Sequence, residues 1–310
     1  MAARIRVGTC SWADESLSKW WYPRGIRTGE QRLRHYAERF DTVELDASYY
    51  RLPDEDQARL WVERTPPGFL MHVKAFGLMT RHPVRLEQLP PDLRDGAATD
   101  DRGRVDRPSR ELRSEIFARF HAGLRPLREA GKLGAILLQF PSYIVYKESS
   151  IAYLRWAIEE LRGETPLVEF RHRSWLDDEH RDDTHSLLEE LGASHVVTDA
   201  PKTDAKNLVP TVLARTSPLV YIRFHGRNAS TWNKRGGSAA ERFDYLYSDE
   251  ELAEWAGAAR ELAEGAEQAF AMFNNNGRSP APAGSEREWF AQAPVNALRF
   301  QELLGERAAA

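Results

Sequence analysis

The sequence has almost no cysteine: Cys10 is the single one in 310 residues. A lone cysteine excludes a disulfide within the chain, so we expect a reducing compartment, the cytoplasm. No apolar run approaches the ~18 residues of a membrane span, and no leader of signal-peptide length precedes the first apolar run. We therefore predict a cytoplasmic protein that has no membrane partner.

The sequence also has little excess charge of either sign. Its 43 basic and 47 acidic residues leave a net charge of −4. This balance argues against a protein that coats duplex DNA by bulk charge, but it leaves room for a local basic site. Composition leaves the oligomeric state open.

Several catalytic motifs are missing as well. The chain contains no G-x-x-x-x-G-K-[ST] phosphate loop, no H-E-x-x-H, no G-x-S-x-G and no paired C-x-x-C. The residues after the first apolar run read GTCSW (8–12), which is not the glycine fingerprint of a dinucleotide-binding sheet. These classes of enzyme receive no support from the sequence.

What the sequence does contain is a repeated alternation of short apolar runs and helix signals. Two capping boxes, Thr28 with Gln31 and Ser248 with Glu251, each precede a helical segment. Strands that alternate with helices indicate a parallel sheet, and eight such units in ~300 residues predict a (β/α)8 TIM barrel of the α/β class. The alternative is a doubly wound open sheet. The predicted strands are 5–10, 42–47, 69–75, 135–140, 167–171, 195–199, 219–224 and 269–273.

One segment departs from this alternation. Residues 88–110 read QLPPDLRDGAATDDRGRVDRPSR, with two adjacent prolines, several glycines and mixed charge. We interpret the segment as a mobile excursion, or lid, between the third strand and its helix within a single domain of residues 1–310.

Polar residues occupy one face of most of the predicted strands. Side chains alternate between faces, so in the fifth strand Val168 and Phe170 oppose Glu169 and Arg171. The apolar face is expected to meet the helices, and the polar face to point into the barrel at the carboxyl ends of the strands, where barrel enzymes hold their catalytic groups. By this argument the inward groups are Glu44, Asp46, His72, Lys74, Gln139, Glu169, Arg171, Asp199, Arg223 and His225, with His172 and Asn274 in the loops that follow.

The side-chain types in this ring suggest several chemistries. Arg171 and Arg223 suit a bidentate anion clamp. Glu169 and His225, helped by His72, suit acid–base work, and Lys74 suits stabilisation of developing negative charge. Glu44 and Asp199 would orient these groups. A divalent metal is a further option, with Glu44, Asp46, Glu169 and His225 as candidate ligands, although three cations in the same ring oppose it.

Aromatic residues follow several of the predicted strands. We expect Trp12, Tyr50 and Trp175 to stack on a sugar, a base or another planar ligand.

Seven motifs occur in a fixed order along the chain: GTCSW (8–12), TVELDASYYRLP (42–53), PPGFLMHVKA (66–75), GAILLQFP (134–141), VEFRHRSW (168–175), YIRFHG (221–226) and the asparagine run at 274–276. This series resembles the YecE-like family, the domain of unknown function numbered 72. The resemblance implies a TIM barrel and brings no assigned activity. It implies shared positions at Glu44, Tyr50, Lys74, Gln139, Glu169, Arg171, His172, Trp175, Asp199, Arg223, His225 and Asn274. Asp46 departs from the family pattern, and residues 88–110 match nothing in it.

Three hypotheses follow. The first is an enzyme that acts on a small anionic or phosphorylated ligand of sugar-like or nucleotide-like chemistry. The second is a metal-dependent hydrolase or isomerase, including a phosphodiesterase that acts on nucleic acid. The third is a protein that binds a ligand or a nucleic-acid end without catalysis. The sequence names no cofactor beyond the optional metal.

Overall fold

The computed structural model describes residues 2–203, 205–232 and 239–305, without the side chains of 239 and 240. Eight parallel strands form the central sheet: β1 Ile5–Thr9, β2 Thr42–Leu45, β3 Leu70–Lys74, β4 Leu133–Gln139, β5 Pro166–Glu169, β6 Ser194–Asp199, β7 Leu219–Phe224 and β8 Gln268–Phe273. An antiparallel hairpin, β9 Arg278–Pro280 and β10 Trp289–Ala291, follows them. The helices are α1 Glu15–Trp20, α2 Gly29–Ala37, α3 Glu55–Glu63, α4 Arg110–Gly123, α5 Arg125–Glu129, α6 Glu148–Glu160, α7 Arg181–Glu190, α8 Ala229–Trp232, α9 Ala239–Arg242, α10 Asp249–Ala263 and α11 Gln292–Leu304.

The strand order confirms the predicted barrel. Hydrogen-bonded neighbours follow the sequence order from β2 to β8, and β8 pairs in parallel with β1. The open doubly wound alternative is wrong, because such a sheet reverses its strand order partway, whereas this order runs in one direction around the ring. The two predicted capping boxes are also confirmed, ahead of α2 and α10. No helix of the described residues is long and apolar enough to cross a membrane.

The barrel is nearly closed, with a seam between β1 and β2. No ladder joins these two strands in the described part of the chain. The hydroxyl of Tyr36, on α2, bridges them: it accepts from the Thr9 amide (2.8 Å) and lies 3.2 Å from the Thr42 carbonyl oxygen, to which it donates. Gly8 allows the close approach, since a Cβ there would lie 2.4 Å from that carbonyl oxygen.

We expect Tyr36→Phe to lower the free energy of unfolding by about 1–3 kcal/mol, because the change leaves a buried amide and a buried carbonyl without their partner. Urea unfolding at neutral pH measures the loss. Tyr50→Phe is the matched control, since the Tyr50 side chain is exposed. Equal stability of the two variants would argue against a role for the Tyr36 bridge.

Two apolar layers lie on either side of the strands. The layer between sheet and helices contains the outward residues, Val43, Val73, Val168 and Ile222 among them. The layer inside the barrel contains Leu137, Leu167, Val196, Tyr221, Phe270 and Met272. The expectation that the inward face is the polar one therefore holds only near the carboxyl ends, because the lower barrel is filled with apolar side chains.

Residues 88–110 lie between β3 and α4, as the sequence suggested. Their backbone contains a 3₁₀ turn, Pro91–Leu93, and a bridge between Thr99 and Val105. Leu89 and Val105 are buried in the main core. Whether this segment moves as a lid stays a prediction.

Candidate functional site

A buried ion-pair network occupies the upper barrel. Glu169, at the end of β5, is fully buried, accepts three hydrogen bonds and forms an ion pair with Arg171. Its Oε1 accepts from Gln139 Nε2 (2.9 Å) and His225 Nε2 (3.1 Å) and lies 2.5 Å from Arg171 Nε. Its Oε2 receives Arg223 Nη1. These contacts use the hydrogen-bonding capacity of the carboxylate and hold it in one orientation.

Arg223, on β7, links two carboxylates across the barrel. Its Nη2 donates to Glu44 Oε1 at 2.6 Å, and the Tyr221 hydroxyl donates to Glu44 Oε2 at 2.8 Å. Glu44 and Arg223 are both fully buried. An isolated buried charge is strongly unfavourable, so the arginine and the two carboxylates stabilise one another.

The charges in this network shift the pKa of each carboxyl differently. Burial alone raises the pKa of Glu169, but the positive charges of Arg171 and Arg223 outweigh it and hold that pKa well below its usual range. For Glu44 burial prevails over the single adjacent arginine, and the pKa is raised. Glu169 is therefore ionised at neutral pH and is a poor proton donor.

His225 is held as a neutral imidazole. Burial first, and the charge of Arg171 second, lower its pKa to about 3. Asn274 Nδ2 lies 2.9 Å from His225 Nδ1, which assigns the donor role to Nε2 toward Glu169. The ring orients Glu169 from one side while Gln139 does so from the other.

Above the network a cleft of about 920 Å³ opens at the carboxyl ends of the strands. Three charged groups reach it from the barrel: Asp46, Lys74 and Arg171, whose side chains are 28%, 14% and 18% exposed. Lys74 Nζ lies 3.5 Å from Asp46 Oδ1 and 4.9 Å from the Tyr49 ring centroid. The lining also includes Asp14, Lys19, Trp20, Tyr50, His82, Gln139, Trp232, Arg242, Asn274, Asn276 and Arg278.

The structure separates several predicted site residues from this cleft. His72 lies deep inside the barrel, with its ring 4.9 Å from Tyr221 and 4.2 Å from Phe270, and neither ring nitrogen has a partner in the described chain. Trp175 is fully buried, stacks on Phe170 and donates to the Ile144 carbonyl. Neither side chain can contact a ligand in the cleft without rearrangement.

Asp199 also faces away from the barrel axis, contrary to the predicted orientation. Earlier in β6, Val196 packs inside the barrel and Val197 packs against the helices. Asp199 is two residues after Val197, so alternation places it on the same outward face. There it accepts from Arg227 Nε and from the Tyr247 hydroxyl. It lines a separate cleft of about 610 Å³.

Two further predicted residues serve local structure. His172 accepts from the Ser174 amide at the start of a 3₁₀ turn. Trp12 packs edge-on against Trp61 of α3. Neither residue lines the large cleft.

Asp14 and His82 line the cleft but were not proposed from the sequence. Asp14 lies in the loop after β1, and His82 lies in the loop after β3. Burial, with help from Lys74, lowers the pKa of His82 to about 3. In the sequence only their positions indicate a role in the site, because the loops that follow the strands of a barrel surround its active site.

The proposed metal ligands do not form a metal site. In the described residues no group of three or more histidine, cysteine, aspartate or glutamate side chains is placed to hold an ion. Glu44 and Glu169 already accept from Arg223, and Asp46 lies beside Lys74. These positive charges make the donor set unfavourable for a dication.

The fold and the cleft define a TIM-barrel protein with a buried ion-pair network beneath a ligand-sized opening. Residues 6–310 match the family model described as "Protein of unknown function DUF72", and the chain belongs to that family.

Relatives in sequence and in structure agree with this assignment. The chain is 33% identical over 277 residues to UPF0759 protein YunF of Bacillus subtilis (strain 168), which covers 88% of this chain and 89% of that protein. It is 27% identical over 236 residues to UPF0759 protein YecE of Escherichia coli (strain K12), and this alignment covers 70% of this chain and 75% of that protein. A DUF72 family protein from Enterococcus faecalis V583 superimposes with a TM-score of 0.76, 26% identity and coverage of 97% and 96%. A DUF72 family protein from Thermotoga maritima MSB8 superimposes with a TM-score of 0.73 and 29% identity, over 97% of this chain and 99% of that chain.

Proposed function

We propose that this protein is an enzyme that acts on a small anionic ligand, and that a phosphate or carboxylate group of the ligand binds at the floor of the large cleft between Lys74 and Arg171. The observation that carries the proposal is the unused donor capacity of these two cations. In the described chain Lys74 Nζ has no hydrogen-bond acceptor, and its nearest carboxylate oxygen is 3.5 Å away. Arg171 places Nε 2.5 Å from Glu169 Oε1, and its Nη2 lies 3.2 Å from His225 Nε2, which is itself a donor. Within the described residues Nη1 and Nη2 therefore have no oxygen acceptor.

The buried network supports this arrangement from below. Glu169 fixes Arg171 through the 2.5 Å contact, so the guanidinium does not have to be ordered when the ligand binds. Arg223 is fully buried and holds Glu169 in place, which makes it a positioning residue rather than an anion clamp. Preorganised donors of this kind stabilise negative charge more effectively than flexible ones.

Asp46 is the acid–base group that the geometry favours. It is partly exposed to the cleft and lies beside Lys74, whereas Glu169 is fully buried and already contacts four polar partners. A carboxylate in this position can act as a general base toward the ligand. Glu169 and His225, the sequence-based choices for this role, would then orient Arg171.

Binding of inorganic phosphate tests the anion site. Isothermal titration calorimetry is expected to show saturable binding to the wild-type protein that weakens about 10–100-fold in Lys74→Met, as for loss of a charge-assisted hydrogen bond. Lys147→Met is the control, since Lys147 is exposed and outside the cleft. Equal affinities of the two variants, or no binding by the wild type, would refute the anion site.

Turnover separates an enzyme from a binding protein. A screen of phosphorylated metabolites with the wild type and Asp46→Asn is expected to find a substrate whose turnover is lost in the variant while phosphate still binds. Phosphate binding with no turnover of any metabolite would favour the non-enzymatic alternative.

A further inference from the structure

Arg278 is an exposed cation in the wall of the large cleft, and no carboxylate pairs with it. It is the first residue of β9, lines the cleft and has an exposed side chain. Within the described residues its guanidinium contacts two aromatic rings but makes no ion pair and no hydrogen bond. All of its N–H groups are therefore available to an acceptor on a ligand.

Two tryptophan rings hold this guanidinium in place. Its central carbon lies 4.5 Å from the ring centroid of Trp289 and 5.5 Å from that of Trp20. Trp289 belongs to β10, which pairs with β9, and Trp20 is the last residue of α1. A guanidinium that packs on aromatic faces keeps its N–H groups at its edge. Because its freedom is already restricted, it loses less entropy when an anion binds.

The carboxylates of the same wall are engaged elsewhere. Glu15 Oε1 lies 2.5 Å from Lys19 Nζ, and Asp244 Oδ1 accepts from Gln292 Nε2 at 2.8 Å. Lys19 first, and Arg278 to a smaller extent, lower the pKa of Glu15. The positive charge of Arg278 is thus felt in this wall, but no acid of the chain has taken up its donors.

Arg278 and the proposed anion site face the cleft from different walls. Lys74 ends β3 and Arg171 follows β5, whereas Arg278 follows β8. Around the ring, β6 and β7 separate β8 from β5, and β1 and β2 separate it from β3. The cleft of about 920 Å³ has the size of a pocket that encloses a whole metabolite. A ligand that uses both sets of donors has an anionic group at each end.

We infer that the ligand of the large cleft carries two separate anionic groups, each a phosphate or a carboxylate, and that the second group binds the Arg278 guanidinium. The inference rests on the proposed function, because the first group is the one that binds between Lys74 and Arg171. It narrows the substrate class to bisphosphates and phosphorylated carboxylic acids. Arg278 then selects these molecules over monoesters, which leave its donors without an acceptor.

The experiment compares propyl phosphate with a series of straight-chain alkanediol bisphosphates of increasing length, by calorimetry. The best bisphosphate is expected to bind about 10–100-fold tighter than propyl phosphate, as for one additional charge-assisted contact. The affinity should peak at one chain length, because Arg278 is held in place and the linker has to match the span. Attraction by the extra charge alone would produce no such peak.

Arg278→Met is expected to abolish this advantage while propyl phosphate binds as in the wild type, which also shows that the variant is folded. Arg110→Met is the matched control. Arg110 is exposed and lies over the Trp156 ring at 5.3 Å, but it does not line the cleft. The control should bind every probe like the wild type.

The outcomes separate this inference from the anion site. If every bisphosphate binds within about twofold of propyl phosphate, the statistical gain of two equivalent ends, the second position is wrong and the anion site stands. The same holds if the advantage survives in Arg278→Met, or if this variant weakens propyl phosphate equally. If binding depends on Arg278 but is unchanged in Lys74→Met, the anion site is wrong and the Arg278 position stands. If no probe binds, both are wrong.

Discussion

Arg223→Met is expected to lower the free energy of unfolding by about 3–5 kcal/mol, the usual result of removing one partner of a buried ion pair. Glu44 and Glu169 each accept from this guanidinium, and all three side chains are fully buried. The variant leaves Glu44 with only the Tyr221 hydroxyl. Equilibrium unfolding in urea, followed by tryptophan fluorescence, measures the loss.

Arg155→Met provides the comparison. Arg155 makes a bidentate pair with Glu190 at 2.6 and 2.7 Å, but both side chains are exposed, so the expected loss is at most about 1 kcal/mol. Glu44→Gln combined with Arg223→Met should recover part of the stability, because one uncompensated charge is removed. A loss in Arg223→Met no larger than that in Arg155→Met would show that the buried network contributes no more to stability than an exposed ion pair.

The stability of the protein is expected to fall steeply as the pH decreases from about 6.5 toward 4. Burial lowers the pKa of His72, His82 and His225 to about 3 and that of His195 to about 4. The unfolded chain binds protons on these imidazoles near pH 6.5, and the folded chain does not. The stabilisation is therefore complete above pH 6.5 and is lost as the pH falls, by up to about 5 kcal/mol per pH unit for the four groups.

Two carboxyl groups change this slope. Glu44, whose pKa is raised, binds its proton more readily in the folded state and partly offsets the loss. Glu169, whose pKa is held low, adds to the loss below its unfolded value of about 4.3. Urea unfolding at pH 8, 7, 6 and 5 gives the slope directly.

His72→Leu isolates one contribution. Below pH 6 the free energy of unfolding of the variant should change less steeply with pH, by about 1.4 kcal/mol per pH unit, since one proton fewer is taken up on unfolding. An unchanged slope would mean that His72 is already protonated in the folded barrel.

The barrel and most of the inward ring could be predicted from alternation alone. In a strand that is apolar on one face, a charged residue between two apolar ones has to point the other way, and this correctly orients Glu44, Lys74, Glu169 and Arg223 toward the axis. The depth of a residue along the axis is not given by alternation. His72 is inward like Lys74 but lies two residues earlier, and there the barrel is closed by Tyr221 and Phe270.

Other features of the cleft depend on packing that the sequence does not state. Asp199 is the last residue of β6, and its polarity predicts an inward position. Val197, on the same face of the strand, packs against the helices, so Asp199 faces outward. Asp14 looks in the sequence like an ordinary helix cap. Its place in the lining of the cleft depends on where the loop after β1 meets the end of β8, some 260 residues later in the chain. Contacts between residues so far apart in sequence cannot be found from local patterns.

The seam between β1 and β2 has a consequence for synthesis on the ribosome. β1 takes its ladder from β8, with Ile5 opposite Ala269, and the strand that emerges next after β1 offers it only the Tyr36 bridge. Strands β2 to β7 can pair in order as they leave the exit tunnel, but β1 has no ladder partner until β8 has been made. The ring therefore closes only after β8 emerges, and for most of translation the backbone N–H and C=O groups of β1 lack their ladder partner and can pair with other strands or bind a chaperone.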